Sequence, residues 1–298
     1  MKYTASRSIL GFLVCTLHFI DPDTVTAILE MLCATGKPVT VFQETGRRSF
    51  SYTDKIRANP LVKIIAVDSS TASGYDMGRF LYGLGHRRVA CFMHDDESAW
   101  VRSRYHGIIA AFADRGVPDA VAGVSLDPGP SATVYAAAVY EKKPYENLIR
   151  AVLDFQNRTE PWSVAEQAPF FTVDALPYIW NRYLGREMAP LFGRVLSDKS
   201  ISAWVGITDA IAIYALDYLK RNGAKVPAEI SVAGFDDSTD AFCYGLTSYN
   251  FNAPAVAGRI VSHILSAKRH ARSGKKAAIC EEMRGLVKIR RSTSSKVY

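Results

Sequence analysis

The sequence predicts an α/β protein of two lobes, each a parallel sheet covered by helices. Short β-branched runs alternate with helical patterns along most of the chain, which is the rhythm of βαβ units and so of parallel strands. At 298 residues and 48% hydrophobic content, the chain can bury a sizeable core and exceeds ordinary single-domain size, which favours two units. Its 22% charged and 11% aromatic residues are globular proportions, so wholesale disorder is excluded.

The first unit opens with a strand over Ile9–Cys15, then a helix over Asp21–Thr35. Asp21 can cap that helix, Pro22 suits its first turn and Gly36 ends it. Val39–Phe42 and Lys63–Val67 follow as strands rich in β-branched residues. A helix over Thr71–Gly83, a strand over Arg88–Phe92 and a helix over Trp100–Arg115 come next, the last closed by Gly116 in a left-handed cap. Beyond Ser125 the rhythm is lost: Glu141–Asn157 reads as helix, Pro161–Pro169 as a connection and Phe170–Val173 as a strand. It resumes with strand Ala203–Ile207, helix Asp209–Arg221, strand Ser231–Phe235, helix Pro254–Arg272 and a last strand Leu286–Ile289.

The net charge of +7 permits contact with polyanions, but Lys and Arg are scattered, so the charge alone does not indicate nucleic-acid binding. Five cysteines lie far apart with neither CxxC nor Cys/His metal spacing, so reduced, mostly buried thiols and a cytoplasmic location are expected. The apolar run Ile9–Val14 is too short for a secretory signal and reads as a buried strand. No stretch approaches a membrane span. The six histidines show no HExxH spacing, and GxGxxG, P-loop and GxSxG motifs do not occur, so neither a metal nor a cofactor is expected. Asp236 and Asp237 are adjacent and point in different directions, a poor acid/base couple for glycoside hydrolysis.

Four separated segments stand out: YGLGHRRVACF at 82–92, SAWVRSRYHGIIAAFADRGVP at 98–118, ITDAIAIYALDYLKRNGAKVPAEISVAGFDDS at 207–238 and GLVKIRRST at 285–293. In this order they resemble the lactose-repressor and galactose-repressor (LacI/GalR) family of transcription regulators. The third is the most specific, because a polar-Asp helix start, a Gly-terminated helix and then GFDD stand at the family's spacing. The resemblance implies a sensor domain of the periplasmic-binding-protein-like type I fold, two Rossmann-like lobes of which the first is N-terminally truncated. It divides the chain into 1–67 plus 251–276 for the incomplete N-terminal lobe, 68–250 plus 277–293 for the C-terminal lobe, and 294–298 as a tail. An insertion is expected at about 120–200, and long irregular segments of this kind are usually functional or disordered.

In open parallel sheets, ligands bind beyond the carboxyl ends of strands. Asp236 follows the strand Ser231–Phe235, and Thr208 and Asp209 follow Ala203–Ile207, so each is placed to meet a ligand. By resemblance, Asp236, Arg104 and Thr208 form the polar half of a site for sugar hydroxyls or purine edges, with Arg104 three residues before Gly107. Carboxylate and guanidinium suit hydroxyls that donate and accept together. Thr208 stands where the family usually has Asn. Gln43 is the corresponding contact from the first lobe, and Trp100 and Phe235 are candidate aromatic platforms, with Trp180 and Tyr75 as further ones. Each has a purely structural alternative: Asp236 as a turn cap, Arg104 paired with Asp95 or Asp96, Thr208 as a helix N-cap, Trp100 in the core, Gln43 as loop.

The resemblance implies a non-enzymatic module that senses a sugar or sugar derivative by lobe closure, works as a homodimer, and reaches DNA only through a helix-turn-helix that this chain lacks. Alternatives on the same fold are a solute-binding protein of a sugar transporter and an enzyme of carbohydrate metabolism. The latter needs an acid/base pair converging in the cleft.

Overall fold

The computed structural model describes residues 6, 8–16, 22–45, 52–68, 71–94, 98–126, 175–272 and 280–296. The expected elements over 141–157, 161–169 and 170–173 lie outside these residues. In chain order the elements begin β1 (Phe12–Cys15), α1 (Pro22–Cys33), β2 (Val39–Thr45), α2 (Asp54–Ala58), β3 (Val62–Asp68), α3 (Thr71–Gly83), β4 (Val89–Met93), α4 (Ala99–Ala113) and β5 (Val121–Ser125). They continue with α5 (Ala175–Leu196), β6 (Ala203–Gly206), α6 (Asp209–Arg221), β7 (Ser231–Phe235), α7 (Thr239–Tyr244), β8 (Thr247–Asn250), α8 (Ala253–Arg272), β9 (Cys280–Met283) and β10 (Leu286–Lys288).

Two sheets result, a four-stranded one in the order β1-β2-β3-β9 and a six-stranded one in the order β10-β8-β7-β6-β4-β5. All neighbours are parallel except β10 against β8, so the six-stranded sheet ends in an antiparallel edge. Alternation along the strands sorts side chains to opposite faces. Val39, Val41, Val62 and Ile64 pack with Val25 and Leu29 of α1 and Ile56 of α2. Ile65 and Val67 pack on the other face with Val256 of α8. In the six-stranded sheet β4 and β7 are buried along their whole length, as strands covered on both faces must be.

The lobe boundary differs from the sequence division at one point. Division at 277 assigns β9 to the C-terminal lobe, but Ile64–Val67 pair in parallel with Cys280–Met283, so β9 completes the four-stranded sheet and the chain crosses between Met283 and Leu286. Cys-Glu-Glu-Met has no β-branched residue, and its strand character comes from the open edge of β3.

Part of the interval about 120–200 is regular structure. β5 pairs in register with β4, and α5 buries Leu184, Met188, Leu191 and Phe192 in the main core. Phe192 stacks on Trp204 at 5.7 Å and meets Phe92 edge-on at 4.8 Å. Pro190 within α5 and the glycines at 185 and 193 argue against a helix on local propensity. Tertiary contact overrides them: a Cβ on Gly185 would lie 2.5 Å from the Tyr214 ring and one on Gly193 would lie 3.0 Å from the Tyr218 hydroxyl, both on α6.

The packing of α3 on α4 places the site. A Cβ on Gly74 would fall 1.9 Å from the Arg104 carbonyl oxygen, and one on Gly107 would fall 2.1 Å from that of Thr71. The two backbones meet where side chains are absent, which holds the turn of α4 that carries Arg104.

Candidate functional site

Between the two sheets lies a cavity of about 640 Å³, within the range of small-molecule sites. From the six-stranded lobe it is lined by Trp100, Arg104, Thr208 and Asp236. From the other side Phe42, Val67, Val256 and Ile260 face it, and Phe251 closes the crossover between β8 and α8. Among the described residues, no cluster of His, Cys, Asp and Glu could hold a metal ion, and no helix is long and apolar enough to cross a membrane.

Each residue of Gly234-Phe235-Asp236-Asp237 has a separate task. A Cβ on Gly234 would lie 2.5 Å from the Asp209 carboxylate, so only glycine lets that acid approach the strand. Phe235 is fully buried, with its ring 5.1 Å from the Arg104 guanidinium. Asp236 turns into the cavity with φ 113° and Asp237 follows with φ 51°, left-handed conformations that a non-glycine residue holds only where its surroundings enforce them. The N–H of Asp236 donates to the Tyr249 carbonyl at 3.0 Å. The Asp237 carboxylate is engaged by Arg290 and by the Asn250 amide, and its N–H donates to Ser248 Oγ at 2.9 Å.

Arg104 is buried, and its guanidinium lies 4.7 Å from the ring of Trp100 and 4.8 Å from that of Phe251. With Phe235 these rings form a three-sided aromatic box, in which a partly desolvated cation is favourable. Arg104 Nη1 donates to the Ile207 carbonyl at 2.8 Å and stands 3.6 Å from Asp236 Oδ1. That separation makes an ion pair, and the Asp236 carboxylate is half exposed in the cavity wall. Asp236 is an acid that faces Arg104; Asp95 and Asp96 lie outside the described residues.

Thr208 occupies the N-cap position of α6, but its side chain makes no capping hydrogen bond, and it lines the cavity. Asp209 sits behind the site. It is buried, accepting from Ser248 Oγ at 2.6 Å and from the Ser238 N–H at 2.8 Å, while the Ser238 hydroxyl caps α7 by accepting from the Ala241 N–H at 3.1 Å. Burial pushes the Asp209 carboxyl up to about 7, against the lowering effect of those hydrogen bonds.

Of the expected site residues, Asp236, Arg104, Thr208 and Trp100 come together in the cavity wall. Phe235 lies beneath Arg104 and Asp209 beneath the Asp236 loop, and neither lines the cavity. Gln43 is also outside the lining, its amide oxygen accepting from the Tyr52 hydroxyl at 2.5 Å. Tyr75 donates to Asp114 at 2.8 Å instead, and the Trp180 side chain lies outside the described residues. The apolar wall was not anticipated, although Phe42 and Val67, at the ends of expected strands, carried a signal for it.

Residues 79–293 match the model of the periplasmic binding protein-like domain. The chain belongs to that family. Among solved structures it is similar to a LacI family transcriptional regulator from Enterococcus faecium with bound ribose, at 16% identity and TM-score 0.56, covering 100% of this chain and 85% of that one. The Escherichia coli transcriptional repressor ascG is similar at 17% identity and TM-score 0.56, over 98% and 81% of the two chains. A complex of the transcriptional regulator CelR with cellobiose matches at 17% identity and TM-score 0.50, over 98% and 68%. No curated protein is significantly similar in sequence. The family's two-lobed fold is therefore shared with sugar-bound regulators, and the cavity lies between the two sheets.

Proposed function

We propose that the chain is the effector-sensing module of a LacI/GalR-type transcription regulator, binding a sugar or sugar derivative between its lobes. The observation that carries this reading is the convergence of Arg104, Asp236 and Thr208 at the carboxyl ends of parallel strands, beside a cavity of ligand size. The ligand bridges the lobes and stabilises the closed form. It shifts the equilibrium only by its difference in affinity for the closed and open states. The module acts in the cytoplasm without catalysing a reaction, and closure is transmitted across a homodimer to a helix-turn-helix outside these residues. Exposed Phe242 and Tyr244 on α7 support a protein–protein face on the six-stranded lobe.

Calorimetry against a panel of pentoses, hexoses and their disaccharides, including ribose and cellobiose, tests the site. Binding by at least one member and its loss in Asp236→Ala, with an unchanged far-ultraviolet spectrum, is the expected result. Unchanged affinity in Asp236→Ala refutes this site.

A further inference from the structure

We infer that Asp209, buried behind the cavity wall, is a positioning residue that holds the backbone carrying Asp236 and makes the affinity of the cleft depend on pH. This rests on the binding-site reading above and adds a regulation of that site. Two consecutive N–H groups of the loop after β7 depend on the Asp209 carboxyl group, one directly and one through a hydroxyl. The Ser238 N–H donates to Oδ2 at 2.8 Å. The Asp237 N–H donates to Ser248 Oγ at 2.9 Å, and that hydroxyl donates in turn to Asp209 Oδ1 at 2.6 Å. Gly234 leaves the carboxyl group room to reach both, since a Cβ there would lie 2.5 Å from Oδ1. Asp236 and Asp237 hold left-handed backbone at φ 113° and 51°, which persists only where surrounding bonds over-determine it.

The same group is poorly placed to carry charge. Burial pushes its carboxyl up to about 7, and the nearby Asp236 adds to the rise. The neutral form keeps the arrangement: its carbonyl oxygen accepts from the Ser238 N–H, and its O–H donates to Ser248 Oγ, whose second lone pair still accepts from the Asp237 N–H. A ligand lying over Asp236 shuts out water that screens the two acids from each other. The occupied cleft therefore favours neutral Asp209, binding takes up a proton, and affinity falls as pH rises through about 7. Around this network, Asp237 pairs with Arg290 of β10, and Arg104 of α4 pairs with Asp236 and donates to the Ile207 carbonyl. Asp240 stands in the first turn of α7. On α5, Glu187 lies beside the turn whose Gly185 meets Tyr214, more than a helical turn along α6 from Asp209. His94, its ring 5.4 Å from that of Trp100, is a second titratable group beside the cavity wall, and substitution separates the two.

The test is calorimetry of the full chain with ribose, cellobiose and the rest of the sugar panel above, at about pH 6 and about pH 8. For at least one sugar the parent chain is expected to bind about threefold or more tighter at the lower pH. Asp209→Asn, whose amide reproduces the bonds of the neutral carboxyl, should bind within about threefold of the parent at the lower pH and lose the pH dependence, while His94→Gln keeps it. Asp209→Ala should weaken binding about tenfold or more at both pH values, the worth of one hydrogen bond to a buried loop. Ser248→Ala, which releases only the Asp237 N–H, should weaken it about threefold or more, and it decides the matter if Asp209→Ala loses its far-ultraviolet spectrum. Affinity and pH profile unchanged in Asp209→Asn and Ser248→Ala, with binding lost in Asp236→Ala, overturns the positioning role and leaves the site standing. A pH dependence that vanishes in His94→Gln and persists in Asp209→Asn does the same. No binding across the panel, or binding indifferent to Asp236→Ala, overturns both.

Discussion

The two lobes use the same local pattern, an apolar strand followed by an amphipathic helix, to different ends. In the six-stranded lobe, β4 and β7 are buried throughout, and Phe92, Phe192 and Trp204 form a dense aromatic cluster. In the four-stranded lobe, β1 is the edge of its sheet; Leu13 is 47% exposed and nearby Leu10 is 61% exposed. Among the described lining residues, Arg104, Thr208 and Asp236 come from the first of these lobes, and Leu13, Phe42 and Val67 from the second. Directional hydrogen bonds need a rigid support, because small displacements weaken them steeply, whereas apolar contact tolerates movement.

The largest effect that would sharpen this contrast is in the aromatic cluster. Trp204→Ala should destabilise the six-stranded lobe by about 3–5 kcal/mol, read by hydrogen exchange as faster opening of β4, β6 and β7 amides. Equal acceleration in β1 and β2 would show that the lobes unfold as one unit. Gly107→Ala should follow at about 1–3 kcal/mol, because its Cβ would lie 2.1 Å from the Thr71 carbonyl oxygen. By displacing the backbone that carries Arg104, it should also weaken ligand binding, which calorimetry reads separately from the melting temperature.

Two buried groups of the six-stranded lobe predict a smaller, pH-dependent signal. Asp209 is raised to about 7 by burial, so its contribution is fully present below the unfolded carboxylate value and is lost as pH rises through about 7. His86, beside Ser202 Oγ at 2.8 Å, is lowered to about 4 by burial, with Lys296 adding to the effect. Its contribution is present above the unfolded imidazole value and is lost as pH falls through about 4. The two slopes oppose each other between about pH 4 and 6.5. Relative to the parent chain, melting temperatures measured across pH 4.5–6.5 should rise more with pH in Asp209→Asn and less in His86→Gln. Identical pH profiles in all three proteins would break the assignment. The smallest effect belongs to the open edge of the other lobe, where Leu13→Ser should change chemical-denaturation stability by no more than about 0.5 kcal/mol.

Sequence pattern by itself determined the parallel α/β class and most strands and long helices to within a few residues, and the run from Ile207 to Ser238 carried the family resemblance. It also determined that Asp236 and Thr208 emerge at strand ends, because strand direction and the following turn are local properties. The pattern did not show α2, β5, α5, α7, β8 or β9. Cys280–Met283 is a strand because β3 has an edge to fill, and α5 is a helix because Leu184–Phe192 have a core to enter, despite Pro190. Tertiary structure alone decided which polar residues face the cavity. Asp209 and Asp236 both follow buried strands, yet one is turned inward by Ser238 and Ser248 and the other outward by a left-handed backbone. The physical reason is that a side chain's role depends on which partners reach it first, and those of Asp209 lie 29 and 39 residues away along the chain.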